Sequence, residues 1–139
     1  MRLYFAPLEG ITDGIYRSAH SRFFGGVDKY FTPFLSPSAG FRITKREKRS
    51  LMYDANDAYL CVPQLLTKDS QVFAESAKAL YSAGFEEVNL NLGCPSGTVV
   101  SKRKGAGMLG DLNALDACLE AIFTCCSLRV SIKTRLGLH

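Results

Sequence analysis

A single thiol, Cys94, sits where a short strand must end. The stretch Glu87-Val88-Asn89-Leu90-Asn91-Leu92-Gly93-Cys94-Pro95 alternates apolar residues with asparagine and then meets glycine and proline. Alternation over a few residues marks a buried strand, and Gly followed by Pro stops it and turns the backbone. Cys94 is therefore expected at the carboxyl end of a strand, where α/β enzymes gather their reactive groups. A thiol there can act as an acid, a nucleophile or a metal ligand, or it can be a small structural residue at a turn. The metal reading lacks partners. The five cysteines form no Cys-x-x-Cys pair, and His20 and His139 are the only histidines, so zinc is disfavoured. Asn91 brings an amide to the same mouth. Gln64 ends the run Leu60-Cys61-Val62-Pro63, and Lys133 ends Val130-Ser131-Ile132. Each is a polar group at a strand end: Gln64 reads as a strand cap or a ligand contact, Lys133 as a solvent-exposed strand terminus or a ligand contact. The basic run Lys102-Arg103-Lys104 shares a loop with Cys94.

The elements that must hold these residues alternate. Leu3 to Ala6 reads as a short strand stopped by Pro7. Thr12 or Asp13 can cap a helix carrying Ile15, Tyr16, Ala19, Phe23 and Phe24 at helical spacing. Lys29 to Phe31 reads as a second strand, closed by Pro33. Ser36 to Arg49 reads as a basic loop with a short helix near its end, and Tyr59 to Leu65 as a third strand. Asp69 caps a helix with Val72, Phe73, Ala77, Leu80 and Tyr81 on one face, ended by Gly84. Val88 to Asn91 forms the fourth strand, followed by a long loop to about Gly107. Asp111 or Asn113 opens a helix that aligns Leu115, Cys118, Leu119, Ile122 and Phe123, and Val130 to Lys133 forms a fifth strand. Strands alternating with helices imply a parallel sheet with helical crossovers. A doubly wound sheet and a barrel both fit.

Composition agrees with a globular domain: 47% of residues are hydrophobic and 22% charged. No apolar run reaches the ~18 residues of a membrane span, and Met1 to Ala6 is too short for a secretory signal. The expected compartment is the cytoplasm. The net charge of +4 is a mild excess, but its distribution is uneven. Arg42, Lys45, Arg46, Lys48 and Arg49 cluster, as do Lys102 to Lys104. Such runs read as solvated faces or as phosphate-binding patches.

Four segments in order make the chain resemble the tRNA-dihydrouridine synthases, a family of FMN-dependent reductases. They are Ala6-Pro7-Leu8-Glu9-Gly10-Ile11-Thr12-Asp13, Val62-Pro63-Gln64-Leu65, Asn89-Leu90-Asn91-Leu92-Gly93-Cys94-Pro95 with Gly105-Ala106-Gly107 behind it, and Ser131-Ile132-Lys133-Thr134-Arg135-Leu136-Gly137. The resemblance implies a (β/α)₈ TIM barrel, a fold of ~250 residues and eight strands. Residues 1–139 then supply its first five βα units. They are expected to lack the last strands and the helical tRNA-binding domain typical of the family, and to be inactive alone. The implied activity is reduction of uridine in tRNA to 5,6-dihydrouridine, with FMN as cofactor and NADPH as reductant. The resemblance makes Cys94 the proton donor to the base. It makes Pro7, Leu8, Glu9, Gln64, Asn91 and Lys133 flavin contacts. Asn91 and Arg135 are directed toward the substrate, and Lys102, Arg103 and Lys104 sit close to the incoming RNA. The family more often carries Met where Leu8 stands, a swap that keeps volume and apolarity.

Two further expectations accompany this reading. A parallel sheet left open exposes strand edges and apolar surface, so self-association is expected. Gly105-Ala106-Gly107-Met108-Leu109-Gly110 satisfies G-x-G-x-x-G, yet no strand immediately precedes it, and no Asp or Glu occurs from Ala121 to His139. A dinucleotide fingerprint needs both, so the segment reads instead as a glycine-rich hinge of a mobile loop over the barrel mouth. The competing functions are another FMN barrel reductase, dihydroorotate dehydrogenase-like and acting on a free pyrimidine, and a non-catalytic remnant. No membrane or metal partner is expected.

Overall fold

The computed structural model of the protein describes residues 1–45, 47, 51 and 61–137. Five strands appear in it: β1 (Tyr4–Phe5), β2 (Lys29–Leu35), β3 (Cys61–Leu65), β4 (Glu87–Leu92) and β5 (Arg129–Thr134). Helix α1 (Gly14–Phe23) follows β1, α2 (Ser70–Ser82) follows β3, and α3 (Gly97–Val100) and α4 (Leu112–Cys125) follow β4. All strand pairs are parallel, and the spatial order is β1-β2-β3-β4-β5. That order decides between the two architectures left open by the sequence. A doubly wound sheet reverses its direction of growth part-way, whereas here each strand joins the same growing edge, as in a (β/α)₈ barrel. The described strands form a half-barrel of the TIM type.

The two faces of β4 explain its alternating sequence. Val88, Leu90 and Leu92 point outward into the main core, where α2 and α4 cover the sheet with Phe73, Ala77, Leu80 and Ile122. Glu87, Asn89 and Asn91, equally buried, point into the half-barrel lumen. Barrel lumens are commonly filled by Val, Ile and Leu; this one is polar along β4. At its lower end Glu87 forms an ion pair with Lys29, whose ammonium also lies 5.6 Å from the Tyr4 ring centre.

Local signals account for most boundaries. Asp13 caps α1 by accepting from the Tyr16 N–H at 2.9 Å. Asp69 caps α2 through Gln71 and Val72, and Asp111 caps α4 through Ala114. Strand β2 differs from expectation. It does not close at Pro33 but runs to Leu35, with a register shift between Phe31 and Phe34. A proline has no N–H to offer a ladder, and a bulge is where a strand tolerates that loss.

Helix α1 also departs from its pattern. Ile15, Tyr16, Phe23 and Phe24 are exposed, and the packed residues are Gly14, Arg17 and Ser18. The Arg17 guanidinium turns inward to donate to the carbonyls of Thr12 (2.6 Å) and Leu51 (2.7 Å), which directs the apolar stripe to the other side. The stretch from Leu92 to Gly107 is more regular than a loop, holding α3 and a 3-10 helix, Gly105–Gly110. Tyr59 and Leu60 of the expected third strand, Arg46, Lys48 and Arg49 of the basic cluster, most of the short helix expected near the end of that loop, and His139 lie outside the described residues.

Candidate active site at the carboxyl ends of the strands

Strand register gathers the site. Asn91 pairs with Lys133 across β4 and β5, and Gln64 pairs with Asn89 across β3 and β4. Residues in register on parallel strands share a face, so these side chains converge above the lumen. Pro7, Leu8, Glu9, Gln64, Asn91, Cys94 and Lys133 line one open pocket of about 200 Å³. Pro33 and Phe34 complete its wall. Phe34 went unrecognised as a site residue because Pro33 reads as the end of β2; the bulge carries that strand on and brings the aromatic ring to the mouth. Among the described residues no three His, Cys, Asp or Glu side chains converge to hold a metal ion.

The floor beneath Cys94 is a chain of buried amides. The backbone N–H groups of Gly93 and Cys94 donate to Asn91 Oδ1 at 3.1 and 2.9 Å. Asn91 Nδ2 donates to Gln64 Oε1 at 2.7 Å, Gln64 Nε2 to Asn89 Oδ1 at 2.8 Å, and Asn89 Nδ2 to Ser131 Oγ at 3.0 Å. Asn91 thus closes the turn that presents the thiol. Gln64 spends one N–H on Asn89 and one lone pair on Asn91 inside the protein.

Two other devices hold the rim. The Leu8 N–H donates to Thr12 Oγ1 at 2.8 Å, and the Thr12 hydroxyl donates back to the Leu8 carbonyl at 3.2 Å. Thr12 is fully buried, and its own carbonyl is gripped by Arg17. Thr12 is therefore a support for Pro7 to Glu9 rather than the helix cap its position suggests. On the opposite side, the Ala106 N–H donates to the Cys94 carbonyl at 3.0 Å. Gly105 lies so close that a Cβ there would stand 2.9 Å from the Cys94 carbonyl oxygen. Gly105 packs against the thiol's own backbone and Gly107 against that of Val100, a role different from the hinge expected of them.

Other expected residues stand apart. Lys102, Arg103 and Lys104 follow α3 and do not line the pocket; Arg103 borders a separate depression with Lys68, Met108 and Asp111, and its backbone adopts a left-handed φ of 53°. Arg135 is exposed just beyond β5 and is likewise absent from the pocket wall.

The pocket thus combines an apolar wall, an amide edge, a lysine at the rim and a half-buried thiol. The dihydrouridine synthase (Dus) family profile matches residues 4–139, nearly the whole sequence. The chain belongs to the dihydrouridine synthase family. Its relatives include the tRNA-dihydrouridine synthase B of Vibrio vulnificus (strain CMCP6), 25% identical over 136 residues, which span 98% of this chain and 41% of that protein. The corresponding protein of Pseudomonas syringae pv. tomato is 28% identical over 137 residues, 97% of this chain and 39% of the relative. The tRNA-dihydrouridine(20/20a) synthase of Yersinia pestis is 37% identical over 75 residues, 54% of this chain and 22% of the relative. The chain spans about two-fifths of the length of the Dus relatives that it matches nearly end to end. No helix among the described residues is long and apolar enough to cross a membrane.

Proposed function

We propose that this pocket belongs to a flavin-dependent reductase that converts uridine in tRNA to 5,6-dihydrouridine, with FMN as cofactor and NADPH as the source of reducing equivalents. The observation that carries the reading is the meeting of Cys94, Gln64, Asn91 and Lys133 in one pocket of a Dus-family chain. A flat heteroaromatic ring has apolar faces and a polar edge, and the pocket offers Phe34, Pro33 and Leu8 for the first and Gln64, Asn91 and Lys133 for the second. The residues therefore fit an isoalloxazine ring, which Pro7, Leu8 and Glu9 would help to hold. When bound, the reduced flavin supplies a hydride to C6 of the uracil.

The chain's own residues supply position and a proton. The Cys94 thiol gives its proton to C5 of the base, the part of a general acid. Asn91 fixes the Cys94 turn and, with Gln64, excludes water from the lumen side. The Lys133 ammonium, at the rim, favours negative charge on the ring edge that faces it. Reaching the base requires that it be unstacked from the RNA, and Lys102, Arg103, Lys104 and Arg135, exposed or half-exposed outside the pocket, are cations available to its phosphates.

The test is Cys94→Ala in a polypeptide carrying the whole barrel. The variant is expected to keep bound flavin and to lose dihydrouridine by roughly a hundredfold or more, the scale of a lost general acid. Mass spectrometry of tRNA digests reads the product, and unchanged product would remove Cys94 from that role. Oxidation of reduced flavin by tRNA and not by free orotate separates this reading from a reductase of free pyrimidines.

A further inference from the structure

The amide chain under the pocket has a direction. Backbone N–H groups can only donate, so the Asn91 atom facing Gly93 and Cys94 must be its oxygen. That leaves Asn91 Nδ2 toward Gln64, which must answer with Oε1. Gln64 then has Nε2 left for Asn89, which must answer with Oδ1, and Asn89 Nδ2 ends on the Ser131 hydroxyl. Each amide orientation is dictated by the one before it. Gln64 and Asn89 are among the most deeply buried side chains of the protein, where an unpaired polar group is costly.

We propose that Asn89 and Ser131 are positioning residues for the site: by holding the far end of this chain they fix the orientation of the Gln64 amide and, through Asn91, the turn that presents Cys94. Neither faces the pocket; both act through Gln64. With Asn89 apolar, the Gln64 Nε2 group loses its acceptor and the amide is free to rotate. Asn91 Nδ2 then loses its fixed acceptor, and the two N–H groups at Gly93 and Cys94 lose theirs in turn. An aspartate at position 89 retains an oxygen for Gln64, and the Ser131 hydroxyl can reverse to donate to its other oxygen.

The experiment compares Asn89→Leu, Asn89→Asp, Ser131→Ala and Val88→Ala in a polypeptide carrying the whole barrel. Val88 faces outward into the helix-covered core, so its truncation lowers stability without touching the amides. Two readings are taken: peptide-resolved iodoacetamide alkylation of Cys94, and FMN affinity by flavin fluorescence quenching. Asn89→Leu should change the Cys94 alkylation rate and weaken FMN each by roughly tenfold, the scale of one net hydrogen bond. Asn89→Asp should stay within about twofold in alkylation, and Val88→Ala should leave both readings at the wild-type level. Should Asn89→Leu fail to fold, Ser131→Ala at the half-buried end of the chain carries the same comparison. The idea is overturned when a folded Asn89→Leu or Ser131→Ala alkylates and binds FMN like the wild type, or when Asn89→Asp behaves as Asn89→Leu does. The FMN reading rests on the flavin function proposed above, the alkylation reading does not. A wild type that never binds FMN therefore refutes that function, while the alkylation series still decides the positioning role.

Discussion

Gly105 lies closer to the Cys94 turn than its distance in sequence suggests. Its φ is +55°, and an added Cβ would meet the Cys94 carbonyl oxygen and Val99 Cγ1, both at 2.9 Å. Gly105→Ala must therefore adopt a backbone conformation that L residues rarely take and push aside atoms of the active turn. The expected loss is about 2 kcal/mol or more of unfolding free energy, measured by urea denaturation; a change below about 0.5 kcal/mol would mean that the turn yields easily. The same residue marks a limit of reading from sequence. Cys94, Asn91, Gln64 and Lys133 were legible because strand ends are signalled by alternation and by Gly or Pro, and parallel register then brings them together. The job of Gly105 was not, because a close backbone approach leaves no periodic trace, and a cluster of glycines looks like a hinge. Thr12 and Arg17 were missed for a related reason. A threonine before a helix resembles a cap, and only the folded loop shows its hydroxyl returning to Leu8.

Element by element, caps were the most readable signals, and α1 shows where pattern reading fails. Its apolar residues recur at helical spacing, yet burial goes to Arg17, because a guanidinium that satisfies two backbone carbonyls can occupy an interior position that apolar spacing alone assigns to Ile or Phe. Strand β2 fails differently, since a proline read as a stop is in fact absorbed by a bulge. For α2 the cap does double duty. Asp69 accepts from two N–H groups at the start of the helix, so Asp69→Ala should destabilise the protein by about 1 kcal/mol, read from a thermal or urea melt. Its carboxylate also acts on Cys118 of the neighbouring helix. Burial, and secondarily the Asp69 charge, push the Cys118 thiol up, because both disfavour the thiolate. Asp69→Asn keeps a good capping residue and removes the charge. The pH at which Cys118 becomes reactive to iodoacetamide should then fall back toward the ordinary thiol range, while staying above it because burial remains. A midpoint unmoved by the substitution would show that burial alone sets it.

At the scale of the whole molecule, the described strands leave two open edges, β1 and β5, each with one neighbour. Next to β1 lies the exposed stripe of α1, in which Phe23 and Phe24 are 82% and 62% accessible. Open parallel edges and exposed apolar surface both favour association. We therefore propose that the 139-residue polypeptide self-associates in solution and that the stripe drives it. In this fold the phosphate of a ligand is usually cradled by the loops after strands 7 and 8. The five strands described here offer the ring pocket without that cradle, so the same polypeptide should bind FMN only weakly; micromolar quenching of flavin fluorescence would contradict this. The association itself is tested by light scattering across a concentration series, with Ile15→Lys and Phe23→Glu combined. If the stripe drives association, the apparent mass of the wild type rises with concentration and the double variant moves toward a single chain. If the double variant associates as the wild type does, the strand edges carry the contact. A wild type that stays monomeric and melts cooperatively would mean that a half-barrel can stand on its own, its lumen braced in part by the polar bonds that run from the Lys29–Glu87 pair at the bottom to the amide chain beneath Cys94.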